Sequence, residues 1–168
     1  MSKIGIILGS DSDLPYMEQA IQMLKDVNVP FEIEVSSAHR TPHRTIELVK
    51  DFEKKGIQVI IAAAGGAAHL PGVIASHTLL PVLGVPITSA LSGLDSLYSI
   101  VQMPSGIPVA AFSIGSSGGT NSVLFALEIL ALNDPQLKKQ LEDFREKQKQ
   151  SVLEKSKRLK EKIKNERS

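Results

Sequence analysis

Cysteine and tryptophan are both missing from this chain of 168 residues, and each absence closes off some chemistry. Without cysteine there is no disulfide, no thiolate metal ligand and no cysteine nucleophile, and the lack fits a reducing compartment. With no Trp and aromatics at only 4%, few rings are present to stack on a flavin. An excess of one charge is also lacking. Nineteen Lys and Arg against eighteen Asp and Glu leave a formal net charge of +1, too little to mark a nucleic-acid binder. Any anionic ligand must therefore be gripped locally. No apolar run approaches the roughly 18 residues of a membrane span. The opening stretch from Met1 to Ser10 has one basic residue and a strand-length apolar run, too short for a signal-peptide core. The expectations are no nucleic acid, no membrane and a cytoplasmic setting.

Hydrophobic residues at 42% and charged residues at 22% are the balance of a soluble globular protein, and the length suits one domain spanning 1–168. Short Ile- and Val-rich runs, Lys3 to Leu8, Phe31 to Ser36, Ile57 to Ala64, Pro81 to Pro86 and Ile107 to Ile114, read as strands. The segments between them are long enough for crossover helices, and near-continuous apolar strands suit a parallel sheet buried on both faces. The fold class is thus α/β, a three-layer sandwich around a parallel sheet, with the α/β core over 1–134. Met17, Ile21 and Leu24 form the stripe of a first helix, and Ile46, Val49 and Phe52 that of a second helix starting near Thr41-Pro42. From Pro135 to the end, Leu137, Leu141 and Phe144 punctuate a Lys- and Glu-rich segment, predicting one long amphipathic helix over 135–168. Interleaved acids argue against a basic nucleic-acid tail; packing on a neighbouring subunit is the expected role.

Ligands of an open parallel sheet bind beyond the carboxyl ends of its strands, which directs attention to four loops. The first, Gly9-Ser10-Asp11-Ser12-Asp13, offers hydroxyls and helix N-terminal N–H groups to an anion. It is neither a P-loop nor the glycine fingerprint of dinucleotide folds, and simple N-capping by Ser10 or Asp11 is the competing explanation. The second, Ser36 to Pro42, carries His39 and Arg40. Imidazole titrates near neutrality and both takes and returns a proton, and the guanidinium fork suits phosphate. The third, Ala64-Gly65-Gly66-Ala67-Ala68-His69-Leu70-Pro71-Gly72, lets backbone approach a flat ligand and walls an apolar recess. His69 follows at the start of the next helix. The fourth runs from Ser89 to Ser96. His43 and His77 lack such surroundings and read as structural. No metal-ligand spacing links the histidines, so no metal is expected.

Those loops, with Ser37-Ala38-His39-Arg40-Thr41-Pro42 and Asp95-Ser96-Leu97-Tyr98-Ser99-Ile100-Val101-Gln102-Met103-Pro104, together resemble the N5-carboxyaminoimidazole ribonucleotide mutase family, from about Lys3 to about Leu132. The resemblance implies a flavodoxin-like sheet and a homo-octamer with active sites at subunit contacts. It also implies transfer of a carboxylate from the exocyclic nitrogen of a ribonucleotide to C4 of its imidazole, with no cofactor. His39 matches the family's proton-transfer residue and His69 its second site histidine. Ser10, Asp13 and Arg40 match positions that bind the ribose phosphate, with Ser12 and Ser37 as neighbours. A related branch carboxylates aminoimidazole ribonucleotide directly with carbon dioxide; it resembles this chain less, since lysine commonly stands there in place of Arg40. Two departures stand out: the chain is one residue shorter before Leu91, and Ser116 to Thr120 carries hydroxyls where the family tends to alanine. Other classes remain as rivals: a flavin-binding module, and a phospho-accepting signalling domain using Asp11 or Asp13.

Overall fold

Five short strands in a computed structural model that describes residues 3–165 form one all-parallel sheet in the order β2-β1-β3-β4-β5. They are β1 (Ile4–Leu8), β2 (Phe31–Val35), β3 (Val59–Gly65), β4 (Val82–Ile87) and β5 (Ala110–Ala111). The helices are α1 (Glu18–Asp26), α2 (Pro42–Lys54), α3 (Leu70–Ala75), α4 (Leu94–Val101), α5 (Ser116–Ala131) and α6 (Pro135–Asn165), with a 3₁₀ segment at Asp11–Tyr16 ahead of α1. The first crossover runs outward from β1 to β2, and the later ones run the other way. Right-handed connections then put α1 on one face of the sheet and α2, α3 and α4 on the other. Val49 and Phe52 of α2, Leu70 and Ile74 of α3, and Ile100 of α4 accordingly share one core cluster with Ile7, Ile60 and Ala62 of the sheet. On the opposite face α5 passes so close to Tyr16 and Met17 that Gly119 has no room for a Cβ. The three-layer expectation holds.

The core is built by strands buried on both sides. Every residue of β1 and β4 is buried, as is β3 up to Ala64, and at Gly5 a Cβ would overlap the Phe52 ring. Removing that side chain is what lets α2 lie flat on β1.

Strand β2 departs from the expected continuous apolar run because it is an edge. Its Glu32 and Glu34 lie toward α2 and pair with Lys55 at 2.7 Å and Arg44 at 2.9 Å, while Ile33 and Val35 on the other face remain exposed. The last strand is also shorter than Ile107 to Ile114, since only Ala110 and Ala111 pair with Leu83 and Gly84. Pro108 cannot donate to a ladder.

The chain divides into two compact units, Met1–Ala126 and Leu127–Ser168, with the boundary inside α5. In the second unit Asp134 caps α6, its carboxylate accepting from the Leu137 N–H at 3.0 Å, and Glu128 pairs with Arg145. Leu137 is buried, and Leu141 and Phe144 are half-buried. Farther along, Val152, Leu153, Leu159 and Ile163 are exposed. The long helix begins at Pro135 as expected, and its last three expected residues, 166–168, lie outside the described residues.

Candidate active site

The strand order reverses direction at β1 and β3, and an open parallel sheet has its crevice at such a point. The fold makes the crevice tight: the Gly9 N–H donates to the Ala63 carbonyl at 2.9 Å, and the Ser36 N–H to that of Leu8 at 2.9 Å. The loops after β1, β2 and β3 are thereby drawn side by side. Between them lies a cavity of about 430 Å³, a volume that suits a small-molecule ligand. Its lining includes Ser10, Ser12, Asp13, Ser37, His39, Arg40 and His69, so all seven residues singled out from sequence meet at one place. The fourth loop, Ser89 to Ser96, is not among the lining residues.

The first loop is more self-contained than the sequence suggests. The Ser10 N–H donates to Asp13 Oδ2 at 3.0 Å, the Ser12 N–H to Asp11 Oδ1 at 3.0 Å and to Ser10 Oγ at 3.3 Å, and the Asp13 N–H to the Ser10 carbonyl at 3.1 Å. Those N–H groups, expected to face an anion, already have acceptors. What this loop presents instead is two hydroxyls, of Ser10 and Ser12, 2.9 Å apart, and one carboxyl. Asp13 is buried, and burial raises its pKa above the usual carboxylate range; the Ser10 N–H pulls it back, Asp11 pushes it up and the Ser12 hydroxyl lowers it. N-capping by Ser10 is real and coexists with the cavity-lining role.

The second loop is a hydroxyl-locked turn. Thr41 Oγ1 accepts from the Ser37 N–H at 3.0 Å, Ser36 and Thr45 hydroxyls meet at 2.8 Å, and the Arg40 N–H reaches Ser37 Oγ at 3.2 Å. Proline at the first position of α2 starts the helix where its missing N–H is harmless. Two exposed side chains, His39 and Arg40, are thus set on a rigid base. Among the described residues the Arg40 guanidinium makes one long contact, 3.5 Å to the Gly9 carbonyl, and it also lines a neighbouring cavity with Ser10, Ser37 and Arg44.

From the third loop, His69 Nδ1 lies 2.9 Å from His39 Nε2, the rings nearly perpendicular at 79° with centroids 5.0 Å apart. One nitrogen must carry the proton and the other the lone pair, so the two imidazoles share a hydrogen across 30 residues of sequence. Their juxtaposition is the feature that sequence reading missed; it assigned each histidine separately. Ala64, Ala67 and Leu70 supply the apolar wall. Among the described residues no Phe or Tyr lines the cavity, and β5 carries no lysine for a phospho-accepting aspartate. His43 and His77 are exposed and lie away from the cavity. Among the described residues, no group of three or more His, Asp and Glu side chains converges to hold a metal ion.

Known proteins match this chain over most of its length. The family described as AIR carboxylase matches residues 3–151. The N5-carboxyaminoimidazole ribonucleotide mutase of Pyrococcus horikoshii is 57% identical over 159 residues, covering 94% of this chain and 89% of that protein. The protein of that name from Escherichia coli K12 is 53% identical over 154 residues, 91% of each. Among solved structures, that of Treponema denticola PurE superposes with a TM-score of 0.84 at 25% identity, covering 95% of this chain and 99% of that one.

Proposed function

Because the chain belongs to the AIR carboxylase family, we propose that it converts N5-carboxyaminoimidazole ribonucleotide into 4-carboxyaminoimidazole ribonucleotide, an isomerase step of purine biosynthesis. The observation that carries this reading is the His39–His69 hydrogen bond of 2.9 Å in the lining of a cavity that Ser10, Ser12, Asp13 and Arg40 also line.

The chemistry follows from what each group supplies. Arg40, with the Ser10, Ser12 and Ser37 hydroxyls, grips the phosphate end, and Asp13 accepts from a ribose hydroxyl. The carbamate C–N bond breaks as His39 gives a proton to the exocyclic nitrogen, releasing carbon dioxide against the Ala64, Ala67 and Leu70 wall. The electron-rich C4 attacks that carbon, and the proton displaced from C4 returns to His39. Atoms, charge and oxidation state balance, so the step consumes no cofactor. His69 orients the migrating carboxylate and, through its bond to Nε2, the His39 ring. Holding carbon dioxide beside C4 supplies the proximity that free solution lacks.

The working unit in this reading is a homo-octamer in the cytoplasm, each chain a single mutase domain whose α6 packs on a neighbour. Support comes from apolar side chains left exposed, Leu94, Tyr98 and Val101 on α4 and Val152, Leu159 and Ile163 on α6. The cysteine-free composition also fits a reducing compartment. Among the described residues no helix is long and apolar enough to cross a membrane.

Purified protein given the carbamate, or aminoimidazole ribonucleotide with bicarbonate, should form the C4-carboxylated product rapidly from the first alone. Rapid turnover of only the second would make it a direct carboxylase. Light scattering after size exclusion should give the mass of eight chains.

A further inference from the structure

The fourth loop, chemically unusual in sequence yet absent from the cavity wall, has a specific partner. Ser96 is fully buried at the start of α4, and its Oγ accepts from the Gly66 N–H at 2.8 Å while donating to the Ile87 carbonyl at 2.7 Å. The nearby Ser89 hydroxyl donates to Asp95 Oδ1 at 2.6 Å. With each serine proton committed to its shorter contact, the 3.2 Å approach of the two hydroxyls needs no proton. Ser96 therefore commits its proton to the sheet and one of its two lone pairs to the loop bearing His69.

The grip falls where the loop has most freedom. Gly66 sits at φ +66°, a left-handed conformation that glycine holds with little preference over others. From there two tight turns run onward, the Ala68 N–H to the Gly66 carbonyl at 2.8 Å and the His69 N–H to the Ala67 carbonyl at 2.7 Å. Fixing the Gly66 peptide therefore fixes the backbone of His69, three residues on.

We propose that Ser96 is a positioning residue for the reaction: its hydroxyl pins the Gly66 turn and so holds His69 in hydrogen-bonding reach of His39. The proposal rests on the site role given to His69 above. Its first test does not depend on that role.

Amide hydrogen exchange on the free enzyme should show protection at residues 66–69 falling about tenfold in Ser96→Ala, the loss of one hydrogen bond. The decrease should be smaller in Ser96→Cys, which keeps the shape and weakens the acceptor, and β1 should be unchanged in both. Unaltered exchange at residues 66–69 in both variants would sink the proposal, whatever the catalytic result. In turnover, Ser96→Ala should lower kcat about tenfold with KM within about twofold, because the phosphate grip lies elsewhere. Adding it to His69→Asn should lower kcat no further than His69→Asn alone, since groups acting through one another are not additive. Multiplying losses in the double variant would show that Ser96 acts by another route. If His69→Asn itself costs nothing, the functional reading of His69 fails while the exchange result still decides the Ser96 grip.

Discussion

The loops that bring His39 and His69 together are held in opposite ways. The second loop ties itself down: Ser36, Ser37, Thr41 and Thr45 bond to one another within ten residues. The third loop carries almost no polar side chain and is tied to α4, with the Ser96 hydroxyl on the Gly66 N–H thirty residues away. A proton-transfer residue on a self-locked turn faces a partner whose place depends on a distant helix. Loosening either loop should therefore leave different signatures.

The largest effect is expected where the loops meet. His39→Asn should keep ligand binding but lower kcat at least about 10²-fold, the contribution of a general acid or base, read by steady-state kinetics beside a binding titration. Undiminished turnover would remove His39 from proton transfer. Next, Gly5→Ala pushes a methyl into the Phe52 ring and disturbs α2, the helix that carries the second loop. Overpacking of this kind costs about 1–3 kcal/mol, measurable by urea unfolding, and exchange protection at α4 should be unaffected. Thr45→Val removes the nearer of two hydroxyl partners of Ser36, leaving Thr41 at 3.2 Å, and should cost about 1 kcal/mol, with faster amide exchange confined to residues 36–41. Faster exchange at residues 65–69 as well would mean the loops are coupled rather than separately held.

The smallest effect has the opposite sign. A folded-state pKa raised by burial means that the native protein binds the Asp13 proton more tightly than the unfolded chain does. Ionisation of Asp13 therefore costs stability as pH rises from the unfolded value through the folded one. Asp13→Asn should raise Tm at pH 7, with the gain shrinking as pH falls through the raised folded value of Asp13 and the native carboxyl takes up its proton. The same variant should weaken substrate binding if the carboxylate takes a ribose hydroxyl.

Much of the architecture was legible because its signals are local. Apolar runs located all five strands, Pro42 located the start of α2, and Pro135 the start of α6. The errors have local causes too. Strand β5 shrank because Pro108 and the turn before it cannot join a ladder, and β2 turns half-buried glutamates toward α2 because an edge strand has a face to which lysine and arginine can reach. The first loop looked like a backbone anion cradle, but its own Asp13 and Ser10 oxygens are the nearest acceptors and take those N–H groups.

Residue order alone determined which segments fold into strands and helices, and that the polar, glycine-rich stretches fall at the strands' carboxyl ends, because those choices depend on periodicity and caps within a few residues. Only the tertiary structure decided that the ends of β1, β2 and β3 lie side by side, that His39 and His69 share a hydrogen, and that the serines after β4 stand behind the third loop instead of in the cavity. Strand order 2-1-3-4-5 sets those neighbours. It arises from packing helices on both faces of one sheet, a balance over the whole core that no short window of sequence contains.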